Sequence, residues 1–185
     1  MKGVLMIVSG PSGVGKDTVL NRWFSRNSNV KRVVSCTTRQ PREGELNGED
    51  YHFLSPADFE GMVLDDQFLE YKNVHGNYYG TPLRQVEEML SAGIVAILKI
   101  DVQGALAVME KHPETTSVFL LPPSWEELER RLTSRGTEDE EAIAKRLSNA
   151  KDELATAPKY QYQVINDNID KTVEELERIA EEARK

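Results

Sequence analysis

A single cysteine, Cys36, stands in the 185 residues, so no disulfide can form within the chain. No Cys/His grouping has metal-ligand spacing either. A disulfide-stapled secreted scaffold and a structural zinc domain are both excluded, and a reducing compartment is expected. Positive charge is scarce: 23 Lys and Arg face 31 Asp and Glu, a formal net charge of −8. Long-range electrostatics therefore oppose non-specific attachment to nucleic acid or to anionic membrane, and any anion site must be a local cluster of basic side chains. Long apolar runs are missing too. The run Val4 to Val8 is far shorter than the roughly 20 residues of a membrane span, and Gly and Pro follow it rather than a small-residue cleavage site. A soluble, cytoplasmic protein is expected, with no nucleic-acid or membrane partner.

Repeats, low-complexity tracts and Gly/Ser/Pro linkers are likewise absent, which predicts one domain with small insertions rather than two domains. What is present is a rhythm. Apolar runs bounded by turn residues predict buried parallel strands at about 3–9, 31–36, 94–100, 116–121 and 162–166. Helical patterns occupy 17–26, 82–92, 102–112, 124–135, 138–156 and 169–184, with Ser124/Glu127 and Thr137/Glu140 spaced as capping boxes. Alternation of the two predicts an α/β fold, a parallel sheet flanked by helices. Residues 37–81 break the rhythm with short strand signals near 51–53, 68–74 and 77–79 and a helix start at Ser55-Pro56. This stretch reads as an inserted, mostly antiparallel flap. Around the turn Gly136-Thr137, the basic residues Arg130, Arg131, Arg135, Lys145 and Arg146 suggest a helical hairpin with a basic inner face.

Between the first strand and the first helix lies Gly10-Pro11-Ser12-Gly13-Val14-Gly15-Lys16-Asp17-Thr18. Strand, glycine-rich turn and helix are the context of a P-loop, in which successive backbone N–H groups and the helix N-terminus cradle phosphates and the lysine reaches their outer oxygens. Asp17 departs from the pattern, which has Ser or Thr as a Mg²⁺ ligand at that place. Two readings stand: the carboxylate ligates the metal, or Asp17 is an acidic first-turn residue while Thr18, phosphates and water serve Mg²⁺. The second is preferred, since the Thr18 hydroxyl lies one step along.

The stretch 34–53, VSCTTRQPREGELNGEDYHF, sets Arg39 and Arg42 about a proline and follows them with Tyr51. Such a patch suits a phosphate dianion, because guanidinium forks bind its oxygens bidentately. As plain chemistry, a solvated loop with arginines paired to Glu43, Glu45 and Glu49 is equally open. Glu70 likewise reads as a surface acid paired with Lys72 or as a ligand group, and Asp101 as a helix cap or a site residue at a strand's C-terminal end.

Together, SCTTRQPREGELNGEDYHF, FLEYKNVHGNYYGTP, KIDVQGA and INDN resemble the guanylate kinase family in order and spacing, over essentially the whole chain. The resemblance implies reversible phosphoryl transfer from ATP, with Mg²⁺, to GMP, with dGMP as a possible acceptor, in purine nucleotide metabolism. It implies a P-loop core (1–34, 82–125, 157–185), a mixed-strand GMP-binding flap (35–81) and a helical lid (about 126–156). Carried over, the acceptor-phosphate contacts are Arg39, Arg42, Tyr51 and Tyr79, and the guanine contacts Ser35, Glu70, Thr81 and Asp101. Carboxylates accept from guanine N1–H and the exocyclic amine, and a hydroxyl donates to O6. Arg131, Arg135 and Arg146 correspond to lid arginines, with Arg130 paired instead to Glu126, and Asn166 corresponds to an adenine-side contact. Tyr78 reads as packing, and none of the three histidines is needed as a base. A monomer or homodimer is expected. Two rivals remain: a ribose 1,5-bisphosphate kinase-like enzyme, whose P-loop resembles GKDT here, and a catalytically inactive protein-binding relative.

Overall fold

The computed structural model describes residues 2–133 and 140–185, of Glu140 the backbone only. In chain order the elements are β1 (Val4–Ser9), α1 (Lys16–Arg26), β2 (Val30–Arg32), β3 (Cys36–Thr37), β4 (His52–Phe53), α2 (Pro56–Leu64), β5 (Phe68–Val74) and β6 (Asn77–Pro82). There follow α3 (Leu83–Ser91), β7 (Val95–Leu98), α4 (Val102–Lys111), β8 (Thr116–Leu121), α5 (Trp125–Thr133), α6 (Glu140–Leu154), β9 (Tyr162–Ile165) and α7 (Ile169–Ala183).

The apolar runs become strands because helices cover both of their faces. Five parallel strands are ordered β2-β7-β1-β8-β9, with β1 central. Odd and even residues of β1 part between two cores. Met6 and Val8 pack with Trp23 of α1 and with Val173, Leu176 and Ile179 of α7. Ile7 packs with Val86 of α3, Ala105 and Val108 of α4, and Phe119. The expected α/β architecture is thus the observed one. The first departure is the run 31–36, which is not a single strand: Val30–Arg32 pairs with β7, whereas Cys36–Thr37 belongs to a second sheet. Val33 remains buried between them, so the apolar signal runs through a change of sheet.

The second sheet is ordered β4-β3-β6-β5, antiparallel across β3-β6 and β6-β5 and parallel across β3-β4. It has a small core of its own. Ser55 caps α2, its hydroxyl accepting from Asp58 N at 3.1 Å, with Pro56 at the first helical position. From that helix the fully buried Phe59 stacks on Phe68 at 4.4 Å and on Tyr78 at 5.3 Å between centroids. Strand alternation then sends Tyr79 and Thr81 to the opposite face from Tyr78 and Gly80. A register shift between Phe68 and Glu70 lets both Phe68 and Tyr71 meet Phe59 while Glu70 stays opposite Thr81.

Candidate functional site

All five parallel strands point their C-terminal ends to one side, and β1 is where their order reverses, the place ligands occupy in open α/β sheets. The turn 10–15 sits there. Gly13 and Gly15 have φ of 81° and 96°, a region closed to most side chains. A Cβ on Gly13 would come within 2.8 Å of Leu132 Cδ2, and one on Gly15 within 2.9 Å of Asn166 Nδ2. The loop is therefore pinned from below. Val14 is fully buried, and its carbonyl accepts from Asn166 Nδ2 at 2.8 Å and from Arg131 Nη1 at 3.3 Å. Asn166 is itself buried, its Oδ1 accepting from the Thr172 hydroxyl at 3.1 Å. In this structure its amide anchors the glycine-rich turn.

The Lys16 ammonium donates to the Gly10 carbonyl and, at 3.2 Å, to that of Pro11. Burial holds its pKa below the ordinary value, against the opposing pull of the Glu153 and Asp17 carboxylates. Glu153, on α6, accepts the Ser12 N–H at 3.1 Å. A carboxylate thus takes one of the loop's inward donors. Asp17, most of it exposed, is ion-paired with Lys99.

Across the cleft lies a cavity of about 220 Å³ lined by Ser35, Tyr51, Glu70, Lys72, Tyr79, Lys99 and Asp101. Glu70 is 8% exposed and its Oε1 accepts from the Thr81 hydroxyl at 2.6 Å. Burial raises its pKa above the usual 4.5, opposed by the Thr81 hydrogen bond and by Lys72 and Lys111. Asp101 serves two purposes: Oδ1 caps α4 by accepting from Gly104 N at 2.8 Å, and Oδ2 pairs with Lys72. Lys72 thus pairs with Asp101, not with Glu70. At Gly104 a Cβ would stand 3.4 Å from Asp101 Oδ1 and 3.5 Å from Glu70 Oε2, so a small residue lets both acids converge.

At the rim Tyr51 and Tyr79 meet edge to face at 6.0 Å, and the Arg39 guanidinium lies 5.4 Å from the Tyr51 ring centroid. Arg39 pairs with Glu45 at 2.8 Å, and Glu45 also accepts from Arg42 N at 2.7 Å. Of the two readings of this loop, the structure shows the pairing of Arg39 with Glu45, one of the three acids the sequence offered. The Glu45 carboxyl is held below its ordinary pKa by the Arg39 hydrogen bond first and the Arg42 backbone second.

From the far side, α5 and α6 bring Arg131 and Arg146 to the phosphate loop, Arg146 Nη2 standing 3.5 Å from Ser12 Oγ. Ser124 caps α5 by accepting from Glu127 N at 3.2 Å, but the Glu127 carboxylate turns to Arg130 and Arg131 rather than completing the box. Arg130 pairs with Glu127, three residues back, instead of with Glu126. Arg135 and the box at Thr137 and Glu140 lie outside the described residues. Sequence reasoning passed over Lys99 and Glu153 and offered Lys72 only as a partner for Glu70. Lys72 lies two residues from the expected guanine contact Glu70 on the same side of β5, and Lys99 lies two residues before Asp101 in the segment between β7 and α4, which is the signal that was available.

A guanylate kinase family profile matches residues 2–183. Among curated relatives, guanylate kinase from Clostridium tetani is 48% identical over 178 residues, covering 96% of this chain and 85% of its own. The guanylate kinase of Gloeobacter violaceus is 49% identical over 175 residues, covering 95% and 85%. Among solved structures, guanylate kinase from Anaplasma phagocytophilum superposes with a TM-score of 0.76 at 32% identity, covering 99% of this chain and 87% of that one.

Proposed function

The chain belongs to the guanylate kinase family, and we infer that it is an ATP:GMP phosphotransferase that converts ATP and GMP reversibly to ADP and GDP. The observation that carries this reading is the pairing of a buried acid with a hydroxyl, Glu70 with Thr81, beside Asp101 in a cavity opposite a phosphate loop. Guanine presents two donors and one acceptor on that edge; adenine would leave the acids unpaired. Ser35, Glu70, Thr81 and Asp101 read the base. Arg39, Arg42, Tyr51 and Tyr79 take the acceptor phosphate.

ATP lies with its phosphates along the backbone of residues 10–18 and against Lys16. An oxygen of the GMP phosphate, already an anion at neutral pH, bonds to the γ-phosphorus as the bond to the β–γ bridging oxygen breaks with its electron pair going to ADP. No proton need move, so what the protein supplies is alignment, charge neutralisation and dryness. Arg131 and Arg146, with Arg135 beyond the described residues, bring positive charge to the transferring group. Mg²⁺ would arrive with ATP, held mainly by phosphate oxygens and water, with the Thr18 hydroxyl as the loop's contribution. Bound there, the ion neutralises charge on the β- and γ-phosphates.

Residues 35–81 act as the acceptor flap and 126–156 as the lid, and a cleft of about 800 Å³ bordered by Lys72, His75, Asn149 and Glu153 is the gap they close. Closure excludes water from the phosphoryl group. The setting is cytoplasmic purine nucleotide metabolism, with dGMP as a second acceptor. Calorimetry tests the reading directly: GMP should bind at one site per chain while AMP at the same concentration gives no saturable heat. Equal binding of the two would refute base reading by the acids.

A further inference from the structure

β1 and β7 run side by side with Ile7 level with Leu98, and just beyond them the Ser9 hydroxyl donates to the Ile100 carbonyl at 3.2 Å. This clamp sets the residues that follow β7 against the phosphate loop that follows β1. Lys99 is the first of them. Its ammonium is paired with Asp17 on the first turn of α1, and its side chain also lines the acceptor cavity with Ser35, Glu70 and Asp101. It therefore touches both halves of the site. The Lys16 ammonium responds to both partners, lifted by the Asp17 charge and lowered by that of Lys99.

We propose that Lys99 is a further phosphoryl-contacting residue, a cation fixed between the donor-phosphate loop and the acceptor cavity, and that Asp17 is the positioning residue that aims it. A lysine ammonium is a point charge on a flexible stem, with three donor hydrogens. Asp17 takes one and fixes the direction; two remain for phosphoryl oxygens. Two phosphate groups, both anionic, must meet at this boundary, where Lys99 stands between the Asp17 carboxylate and the cavity. The ion pair also explains how a carboxylate is tolerated in the phosphate loop, because its charge is cancelled by Lys99 rather than facing the nucleotide alone. Asp17 then aims an ammonium and does not ligate the metal. During transfer Lys99 stays protonated; it supports the charge that spreads over the γ-phosphoryl oxygens as one P–O bond forms and the other breaks.

The proposal rests on the phosphotransferase reading, whose own failure shows separately as a wild-type protein without GMP turnover. The test is a double-mutant cycle of K99Q, D17N and the pair, with K99R as the conservative variant. Steady-state kinetics at saturating Mg²⁺, with a Mg²⁺ titration of wild type and D17N, is combined with calorimetric affinity for an adenosine–guanosine bisubstrate polyphosphate in EDTA and with thermal unfolding. K99Q should lower kcat by roughly 10²–10³ with little change in either KM. It should also weaken the bisubstrate ligand about tenfold or more without metal, at unchanged melting temperature. K99R should recover part of both. D17N should lose less, and the double variant should be no worse than K99Q, because Asp17 acts through Lys99. Wild-type kcat and bisubstrate affinity in K99Q, fully additive losses in the pair, or a marked rise in the Mg²⁺ needed by D17N would each overturn it.

Discussion

Replacing Glu70 by Gln should make the empty protein more stable and its GMP site worse. Glu70 is 8% exposed, and burial is the larger influence on it, so its folded pKa lies above 4.5 despite the 2.6 Å bond from Thr81. A raised carboxyl pKa means that the folded state binds the proton more tightly than the unfolded state. The group's contribution is therefore fully present below the unfolded value and lost as pH rises through the folded one. Once ionised, the wild-type carboxyl is a buried charge that Gln, of the same shape, does not bear. Gln keeps an acceptor for Thr81 but exchanges an ionic hydrogen bond for a neutral one, a loss of about 1 kcal/mol. The lifted burial penalty opposes that loss, and burial is the largest influence on this carboxyl. The net effect should be a higher Tm, each 1 kcal/mol of gain corresponding to roughly 2–4 °C for a domain of this size.

GMP binding moves the other way. Each guanine donor that loses a charged acceptor loses about 1–2 kcal/mol, so the KM for GMP should rise roughly 5- to 30-fold while that for ATP stays put. Thermal unfolding at about pH 4 and pH 7.5, beside initial rates, separates the two effects: the E70Q advantage appears at the higher pH and vanishes at the lower. A variant less stable than wild type at neutral pH, with an unchanged GMP KM, would refute the account of Glu70 as a charge held in place for the base.

Three further outcomes follow from the geometry. Glu153→Gln removes a carboxylate from the Ser12 N–H, so ADP and ATP should bind about two- to tenfold more tightly by calorimetry; weaker binding would show that Glu153 aids the nucleotide. Tyr79→Phe should raise the GMP KM about tenfold or more, the size of a hydrogen bond to a charged group. Tyr78→Phe, on the Phe59 side of the strand, should change it less than twofold, and equal effects would contradict the alternation. Phe59→Ala should cost about 3–5 kcal/mol in urea unfolding, because Phe59 is fully buried between Phe68 and Tyr78; a cost below about 1 kcal/mol would mean that the second sheet has no such core.

Much of the fold was legible because buried parallel strands write themselves as unbroken apolar runs. Val95–Leu98 and Thr116–Leu121 are buried almost throughout and lie where the runs place them. The same signal misleads at 31–36, since an apolar run reports burial and not which sheet does the burying. The strand, glycine-rich turn and helix at residues 4–26 were legible from local order alone, as strand, glycines and lysine are contiguous. The ion pairs were not. Asp17 meets Lys99 across 82 positions, and Ser12 meets Glu153 across 141, distances over which spacing carries no information. Even within one helix the partner of Arg130 depended on a rotamer: Glu127 turns to serve Arg130 and Arg131 together. Asn166 shows the same limit, because only the packed structure places its amide under the Val14 carbonyl.

The most direct test is the initial rate of ADP formation from ATP and Mg²⁺ with GMP, AMP and ribose 1,5-bisphosphate as separate acceptors. Turnover should be confined to GMP, with AMP slower by about 10⁴ or more, as expected where buried polar groups would be left unpaired. Turnover on the sugar bisphosphate, or on none of the three, would contradict a site in which Glu70 and Asp101 choose the acceptor.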